Sequence, residues 1–303
     1  MTSVEPVDVL IIGGGPGGLT TALTVARQLH TAIVFDSSSY RNEASNHMHT
    51  VLTWDHKDPK DYRAAARANI LERYQTIQIA DVELKSIRKT EDGFFEARSD
   101  GSHHKWVGRK VVLATGTVDI YPDIEGYAEC WAKGVFHCLF CHGYEERGAA
   151  SSGVLAIGDL ANAQPATHFA HLGTKIAVEF NAAKNFHIDT RKIERLEKGV
   201  SGASVILYFN DGTTTTEGFL AHKPRTALKG EEFARQLGVE LTPQGDIQVS
   251  PPFNQTNVRG VFAAGDASTP MKIVNAGLFT GAAVGAGVSA QLQAEKHGQN
   301  SMV

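Results

Sequence analysis

The strongest constraint on the fold sits at the start of the chain, where Val7-Asp8-Val9-Leu10-Ile11-Ile12 runs directly into Gly13-Gly14-Gly15-Pro16-Gly17-Gly18. Six largely β-branched or apolar residues read as a buried strand, and the spacing of apolar residues from Leu19 to Leu29 reads as the helix that follows. A second strand, Thr31 to Phe35, ends at Asp36. Strand, glycine turn, helix, strand and acid make a complete βαβ unit of the dinucleotide-binding type. Gly13 permits the tight turn, Gly15 lets backbone approach a pyrophosphate, and Gly18 allows the helix to pack closely, while the helix N-terminus favours the anion. Asp36 stands where such a fold places the acid that accepts from ribose hydroxyls. A lone glycine triplet is a weak signal; the flanking strands, helix and acid make this one strong.

The rest of the chain reads as more of the same class. Ser37 to Lys60 is a long polar loop rich in His, Asn and Ser, followed by a helix from about Pro59 to Arg73. His47 and His49 share one face of that loop and are candidate substrate-site residues. Alternating segments at Ile77 to Ile87, Phe94 to Arg98 and Lys105 to Leu113 read as antiparallel strands that close at Ala114-Thr115-Gly116, a domain exit. A second strand-turn-helix begins at Gly153, with Gly158 in its turn, a further strand at Lys175 to Phe180, and a hairpin around Asn210-Asp211-Gly212. Val261 to Asp266 reads as a buried strand ending in glycine and acid, with a helix rich in Gly and Ala after it. Lys272 and Asn275 are expected at a solvated start of that helix, the alternative being that they cap it.

Chemistry is concentrated at Cys138-Leu139-Phe140-Cys141, which follows His137 and precedes His142. Zinc is disfavoured, because four ligands would crowd into six consecutive residues, and no metal site is expected. Redox use needs two thiols that can close a short disulfide and a proton carrier beside them, and His142 supplies the carrier, with His137 a weaker candidate. The remaining cysteine, Cys130, reads as a packed thiol. A formal net charge of -4 gives no general attraction to nucleic acid, and no run approaches the roughly 20 apolar residues of a membrane span. Met1 to Pro6 is too short and polar for a secretory signal, so a cytoplasmic protein is expected.

Taken in order, the glycine fingerprint, Ala114-Thr115-Gly116, the C-x-x-C and Gly260-Val261-Phe262-Ala263-Ala264-Gly265-Asp266 resemble low-molecular-weight thioredoxin reductases over nearly the whole chain. The resemblance implies an α/β protein of two Rossmann-like, three-layer ββα domains. One, residues 1–116 plus 246–303, would be a discontinuous FAD-binding domain, and the other, 117–245, an NADPH-type domain carrying the C-x-x-C. A homodimer is implied as well. The FAD residues carried over are Gly13, Gly15, Pro16, Gly18, Asp36, Arg41, Asn42, Ala114, Thr115, Gly116, Gly265, Asp266, Ile273 and Val274. Cys141 would be the thiol nearer the flavin.

Three departures from that family bear on activity. The second glycine turn reads Gly158-Asp159-Leu160-Ala161-Asn162-Ala163, so a leucine side chain replaces the glycine that admits pyrophosphate, and Asp159 adds unfavourable charge. The arginines that hold a 2′-phosphate are replaced by Phe180-Asn181-Ala182-Ala183-Lys184. Cys-x-x-Cys-His-Gly-Tyr-Glu, with Arg41-Asn42-Glu43-Ala44-Ser45 and the histidines after it, is similar instead to gliotoxin-type dithiol oxidases, whose corresponding loop lies over the flavin. That resemblance implies oxidation of a small-molecule dithiol to a disulfide with FAD and O2, giving H2O2. The alternatives are an NADPH-dependent thioredoxin or disulfide reductase and a flavin-containing binding protein that turns nothing over.

Overall fold

Val9, Leu10, Ile11 and Ile12 are buried on both faces of their strand, as a central parallel strand requires. In this computed structural model, which describes residues 5–100, 105–177, 187–301 and 303, that strand is β1 (Val7–Ile12). It is followed by α1 (Pro16–Ala26), β2 (Ala32–Phe35), α2 (Pro59–Arg73), β3 (Ile77–Ala80), β4 (Leu84–Lys89), β5 (Phe95–Ser99), β6 (Lys105–Leu113) and β7 (Thr117–Ile120). Then come α3 (Tyr127–Cys130), β8 (Val135–Phe136), α4 (Leu139–His142), β9 (Gly153–Val154), α5 (Ala163–Ala177), β10 (Ile193–Lys198), β11 (Val205–Phe209), β12 (Thr214–Glu217), β13 (Leu220–Ala221) and β14 (Arg225–Leu228). The chain closes with α6 (Glu231–Leu237), β15 (Val261–Ala263) and α7 (Val274–His297).

Two compact units result: Met1–Glu43, Lys60–Val118 and Ala227–Val303 form the first, Ala44–Pro59 and Asp119–Thr226 the second. The first unit holds a seven-stranded sheet in the order β3-β2-β1-β6-β5-β4, with β15 also on β6. The long β6 pairs in parallel with β1 along one edge; on the other it carries β5, antiparallel, at its start and β15, parallel, at its end. Alternation sends Leu10 and Ile12 to one face with Phe95 and Phe233, and Val9 and Ile11 to the other with Leu19, Val284 and Val288. Fully burying each such side chain contributes about 1.5–3 kcal/mol.

The second unit carries a short parallel sheet, β8-β13-β9, and an antiparallel one, β10-β11-β12. Phe136, Leu139 and Phe219 form one core with Phe169, Leu172 and Ile176 of α5 packed against it. Tyr127, Cys130, Trp131 and Leu196 lie in another, where burial pushes the Cys130 thiol up, as befits a packed thiol.

Several sequence expectations are corrected. Ile77 to Ile87 is not one antiparallel strand: β3 pairs in parallel with β2, and only β4 joins the antiparallel meander with β5. Residues 175–177 end α5 instead of starting a strand, because Phe169, Leu172 and Ile176 present one helical face to the core; residues 178–180 lie outside the described residues. The return to the first unit comes at Ala227 rather than at 246, since Phe233, Ala234 and Leu237 of α6 are buried with Ile87 and Phe95. The exit comes at Val118 rather than at 116, and residues 44–59 of the polar loop belong to the second unit.

Tyr127 and His222 form a buried pair, hydroxyl oxygen to Nδ1 at 2.7 Å. Burial pushes the His222 imidazole below its ordinary value, against the opposing pull of the Ile157 backbone and the Asp159 charge. The folded state therefore binds fewer protons than the unfolded chain at mildly acid pH. The stability it contributes is present above the ordinary imidazole value of about 6.5 and is lost as pH falls from there through the lower folded value. Denaturant midpoints measured between pH 8 and pH 5 should fall in the wild type and fall less in His222→Gln.

Candidate active site

The first glycine turn is built by backbone approaching backbone. Gly13, at φ +121°, faces the Ala114 carbonyl, and a Cβ at either Gly13 or Gly18 would collide, with the Ala114 oxygen in one case and the Gly13 oxygen in the other. Gly15 differs: a Cβ there would meet nothing within 4 Å, so it fronts open space at the N-cap of α1, where no side chain caps the helix. The 24-residue α7 begins beside it, with Ile273 at its N-cap, Val274 at its first turn, and Gly277 within 3.6 Å of both the Gly17 nitrogen and the Pro16 side chain, measured from an added Cβ. Two helix N-termini thus converge on one cradle, an arrangement suited to a pyrophosphate.

The remaining residues expected here gather around that cradle or beside it. Gly265, at φ +71°, lies against Gly17 and donates its N–H to the Thr280 hydroxyl at 2.9 Å. Asp266 pairs with Arg41 at 3.3 Å. The Thr115 hydroxyl is buried with no hydrogen-bond partner among the described residues, and Gly116 accepts from the Lys229 N–H at 3.0 Å. Asn42 accepts from Arg63 at 3.0 Å, and the Arg63 guanidinium stacks 3.8 Å above the Tyr40 ring. The open face of Gly15, the orphaned Thr115 hydroxyl and the paired helix ends together fit an FAD diphosphate and its flanking groups.

Asp36 is more occupied than a free ribose acceptor. Its Oδ2 takes the Tyr40 hydroxyl at 2.6 Å and Arg67 at 2.8 Å, and its Oδ1 takes the Ser38 N–H at 2.9 Å. Desolvation, with the Asp36 hydrogen bond next, pushes the Tyr40 phenol up to about 12, which keeps it a donor. Two carboxylate oxygens offer about four acceptor positions, so three are used within the protein.

Lys272 is not a solvated helix start. Its ammonium lies 2.7 Å from Asp246 and also donates to the carbonyls of Asp266 and Thr269 at 2.8 and 3.1 Å, with only 12% and 11% of the two side chains exposed. This buried pair ties the loop between β15 and α7 to the segment after α6. Sequence spacing gave no sign of it, because its members lie 26 residues apart on a loop and a turn. Tyr40, Arg63 and Arg67 were missed for the same reason.

In the second unit, Cys138 and Cys141 are joined as a disulfide, with Cys138 at the N-cap of α4. The turn closes through Cys141 and His142 N–H groups, each donating to the Cys138 carbonyl at 3.1 Å. His142 stacks on Phe136, ring centroids 5.2 Å apart, and both its nitrogens are buried with no hydrogen-bond partner among the described residues. Burial holds its imidazole below the ordinary value, the His49 charge adds to this, and Glu145 opposes it. A neutral imidazole with an unengaged nitrogen is a proton acceptor. His137 stacks on Trp131, ring centroids 5.5 Å apart. Phe140 and Tyr144 flank the pair as exposed aromatic side chains, 75% and 73% accessible. His49 lies edge-on to His142, with centroids 6.4 Å apart, and His47 stacks on His56 at 4.3 Å.

The second nucleotide turn is a single 3-10 turn, Gly158–Leu160. Leu160 does not obstruct it in the way expected, since its side chain is buried in the core at 1% exposure. The turn differs from the first in charge and backbone shape: Asp159 faces Arg225 at 3.8 Å, and the helix begins only at Ala163. Residues 180–184, read as the replaced arginine segment, lie outside the described residues.

Over residues 7–158 the sequence matches the pyridine nucleotide-disulphide oxidoreductase family. It is 44% identical to "Thioredoxin reductase aclD" of Aspergillus oryzae over 94% of this chain and 96% of that protein. It is 42% identical to "Thioredoxin reductase tcpT" of Claviceps purpurea over 100% and 99%. Its fold is similar to the crystal structure of an oxidoreductase from Agrobacterium tumefaciens, with a TM-score of 0.83, 29% identity, and 95% and 99% coverage of the two chains. The chain belongs to the thioredoxin reductase-like branch of the pyridine nucleotide-disulphide oxidoreductases, a family of flavoproteins whose cofactor is FAD. Among the described residues no helix is long and apolar enough to cross a membrane.

Lys272→Met leaves the Asp246 carboxylate buried without its partner, a loss of about 3–5 kcal/mol. Urea unfolding should register that loss, and the purified variant should carry less flavin per chain than the wild type.

Proposed function

We propose that the protein is an FAD-dependent dithiol oxidase of the gliotoxin type, which closes a disulfide in a small-molecule dithiol and uses O2 as electron acceptor, giving H2O2. The observation that carries this reading is the contrast between the two nucleotide turns. The first keeps an open backbone cradle at Gly15, whereas the second presents the Asp159 carboxylate to any pyrophosphate. A redox pair with a cofactor cradle but a poor NADPH site is better suited to receiving electrons from a thiol substrate than from a nicotinamide.

The steps at the protein rest on the family resemblance, by which Cys141 would lie nearer the flavin and Cys138 would be the sulfur open to substrate. A substrate thiolate attacks the Cys138 sulfur of the disulfide, breaking the Cys138–Cys141 bond and releasing the Cys141 thiolate. The second substrate thiol loses its proton to His142, whose nitrogens are unengaged, and its sulfur attacks the mixed disulfide. The product disulfide leaves, and both protein cysteines are then reduced, two electrons having passed from substrate to protein. When bound, FAD would supply the acceptor for that electron pair and the route to O2, so that the Cys138–Cys141 disulfide is restored. Phe140 and Tyr144 offer an apolar platform for a compact ring system beside the thiols. A homodimer would fit the family resemblance.

Anaerobic addition of a small dithiol should bleach the flavin band, NADPH should not, and admitting air should restore the band with one H2O2 per disulfide formed. Rapid bleaching by NADPH would return the protein to the reductases. In the same assay Cys138→Ser should abolish bleaching by dithiol. His142→Ala should slow it by about 10²–10⁴-fold, the range for removing a positioned base, with flavin content unchanged.

A further inference from the structure

Next to the redox pair, the second unit carries a cluster that the dithiol reaction does not use. Within residues 44–59 the chain folds back on itself at the Met48–Lys57 bridge, closed by the Met48 N–H to the Lys57 carbonyl and the His56 N–H to the Met48 carbonyl, each at 2.8 Å. Thr50, Thr53 and His56 all hold positive φ, between 60° and 68°, a conformation that disfavours non-glycine residues and is found where surrounding structure imposes it. This fold sets His49 and His56 on the same side, ring centroids 5.2 Å apart, facing Glu145 on the turn after α4.

The His49 Nε2 lies 3.6 Å and the His56 Nδ1 3.7 Å from the same Glu145 oxygen, Oε1, and the three ligand atoms all lie within 4.8 Å of one another. Both separations exceed a hydrogen bond. They are close to the spacing of about 3.4 Å that ligand atoms take around a tetrahedral ion bound at about 2.1 Å. An outer partner is also in place: the far nitrogen of His49, Nδ1, faces Asp55 Oδ1 at 3.5 Å, and that oxygen is fixed by the Thr50 N–H at 2.8 Å. A metal-binding histidine commonly gives its second nitrogen to a carboxylate in this way, which sets the tautomer and orients the ring. The His56 ring is held from its other side by the stacked His47.

We infer that His49, His56 and Glu145 form a binding site for a zinc-class divalent cation, with a fourth coordination position left to water or an incoming ligand. Two imidazoles and one carboxylate are the donor set of open zinc sites and favour first-row divalent ions over Ca²⁺ or Mg²⁺. A cation here clamps the 44–59 loop to the turn that follows Cys141 and His142, and it fixes the His49 ring against which His142 packs. The ligands come from two segments remote in sequence, so no short motif announces them. They are distinct from the Cys138, Cys141, His137 and His142 cluster, whose spacing argues against zinc.

The test uses the full-length flavoprotein with its C-x-x-C kept oxidised, so that no thiolate competes for metal. After chelator treatment and desalting, Zn²⁺ uptake is measured by competition with a chromophoric chelator, and thermal midpoints are recorded with and without Zn²⁺. The wild type and the exposed-histidine control His168→Ala should each take up one equivalent and gain thermal stability. His56→Ala and Glu145→Gln should bind at least about tenfold more weakly and gain none, and Asp55→Asn, which removes the outer partner, should fall by about tenfold. Zinc uptake by His56→Ala equal to that of the wild type, or no stoichiometric uptake by the wild type, overturns the assignment. Neither result bears on dithiol oxidation, which the flavin assay reads separately.

Discussion

The close approach of three backbone segments governs the first unit. Gly18 sits on the Gly13 carbonyl, Gly281 on the Gly17 carbonyl, and Gly17 against Gly265, so that α1 can lie at once on β1, on α7 and on the turn after β15. A single methyl group at Gly18 or Gly281 would have to displace main-chain atoms, not a flexible side chain, and main chain in a packed sheet moves little. That contact brings the start of α7 to the start of α1. It converts two distant stretches of sequence into one anion-binding cradle, and the buried Lys272–Asp246 pair then holds the loop that leads into α7.

Much of this was legible in the sequence because it rests on short-range rules. The β1–α1–β2 unit, α2, the Asn210-Asp211-Gly212 hairpin and the β15 strand are written in local periodicity and turn chemistry, and Pro59–Arg73 was placed to the residue. The C-x-x-C was equally plain, since both cysteines lie in one turn. The misreadings share a cause: they depend on what a segment packs against. Residues 175–177 read as the start of a strand in isolation, but Ile176 completes a helical face over Phe136 and Phe219. Residues 231–237 look like part of the middle domain until Phe233 and Leu237 find the core beneath β4 and β5.

Polar contacts between remote residues were the least legible. Asp36 could be assigned a place from motif spacing, but not its engagement by Tyr40 and Arg67, because nothing local relates positions 36 and 67. Lys272 looked exposed because a lysine ahead of a helix usually is; only the fold shows Asp246 beneath it. The histidines of the polar loop were visible as a group, and the structure gives them partners: His49 turns to Glu145 and toward His142, while His47 stacks on His56.

The two nucleotide turns of this chain are an internal comparison in which the flanking plan, strand then turn then helix, is held nearly constant. In the first, the turn leads straight into α1 with Pro16 in its opening turn, and the residue facing outward is Gly15, which leaves the helix amides accessible to an anion. In the second, a 3-10 turn is interposed, Leu160 is drawn into the core, and an aspartate lies beside the position an anion would take. The expected obstruction by a leucine side chain is therefore corrected: Leu160 points into the core and not into the turn. Burying Leu160 recruits the turn to the hydrophobic core. The Asp159 carboxylate adds negative charge that Arg225, itself 78% exposed and 3.8 Å away, only partly offsets. One plan, strand then turn then helix, thus leaves an open backbone cradle in one unit and a core-packed turn in the other.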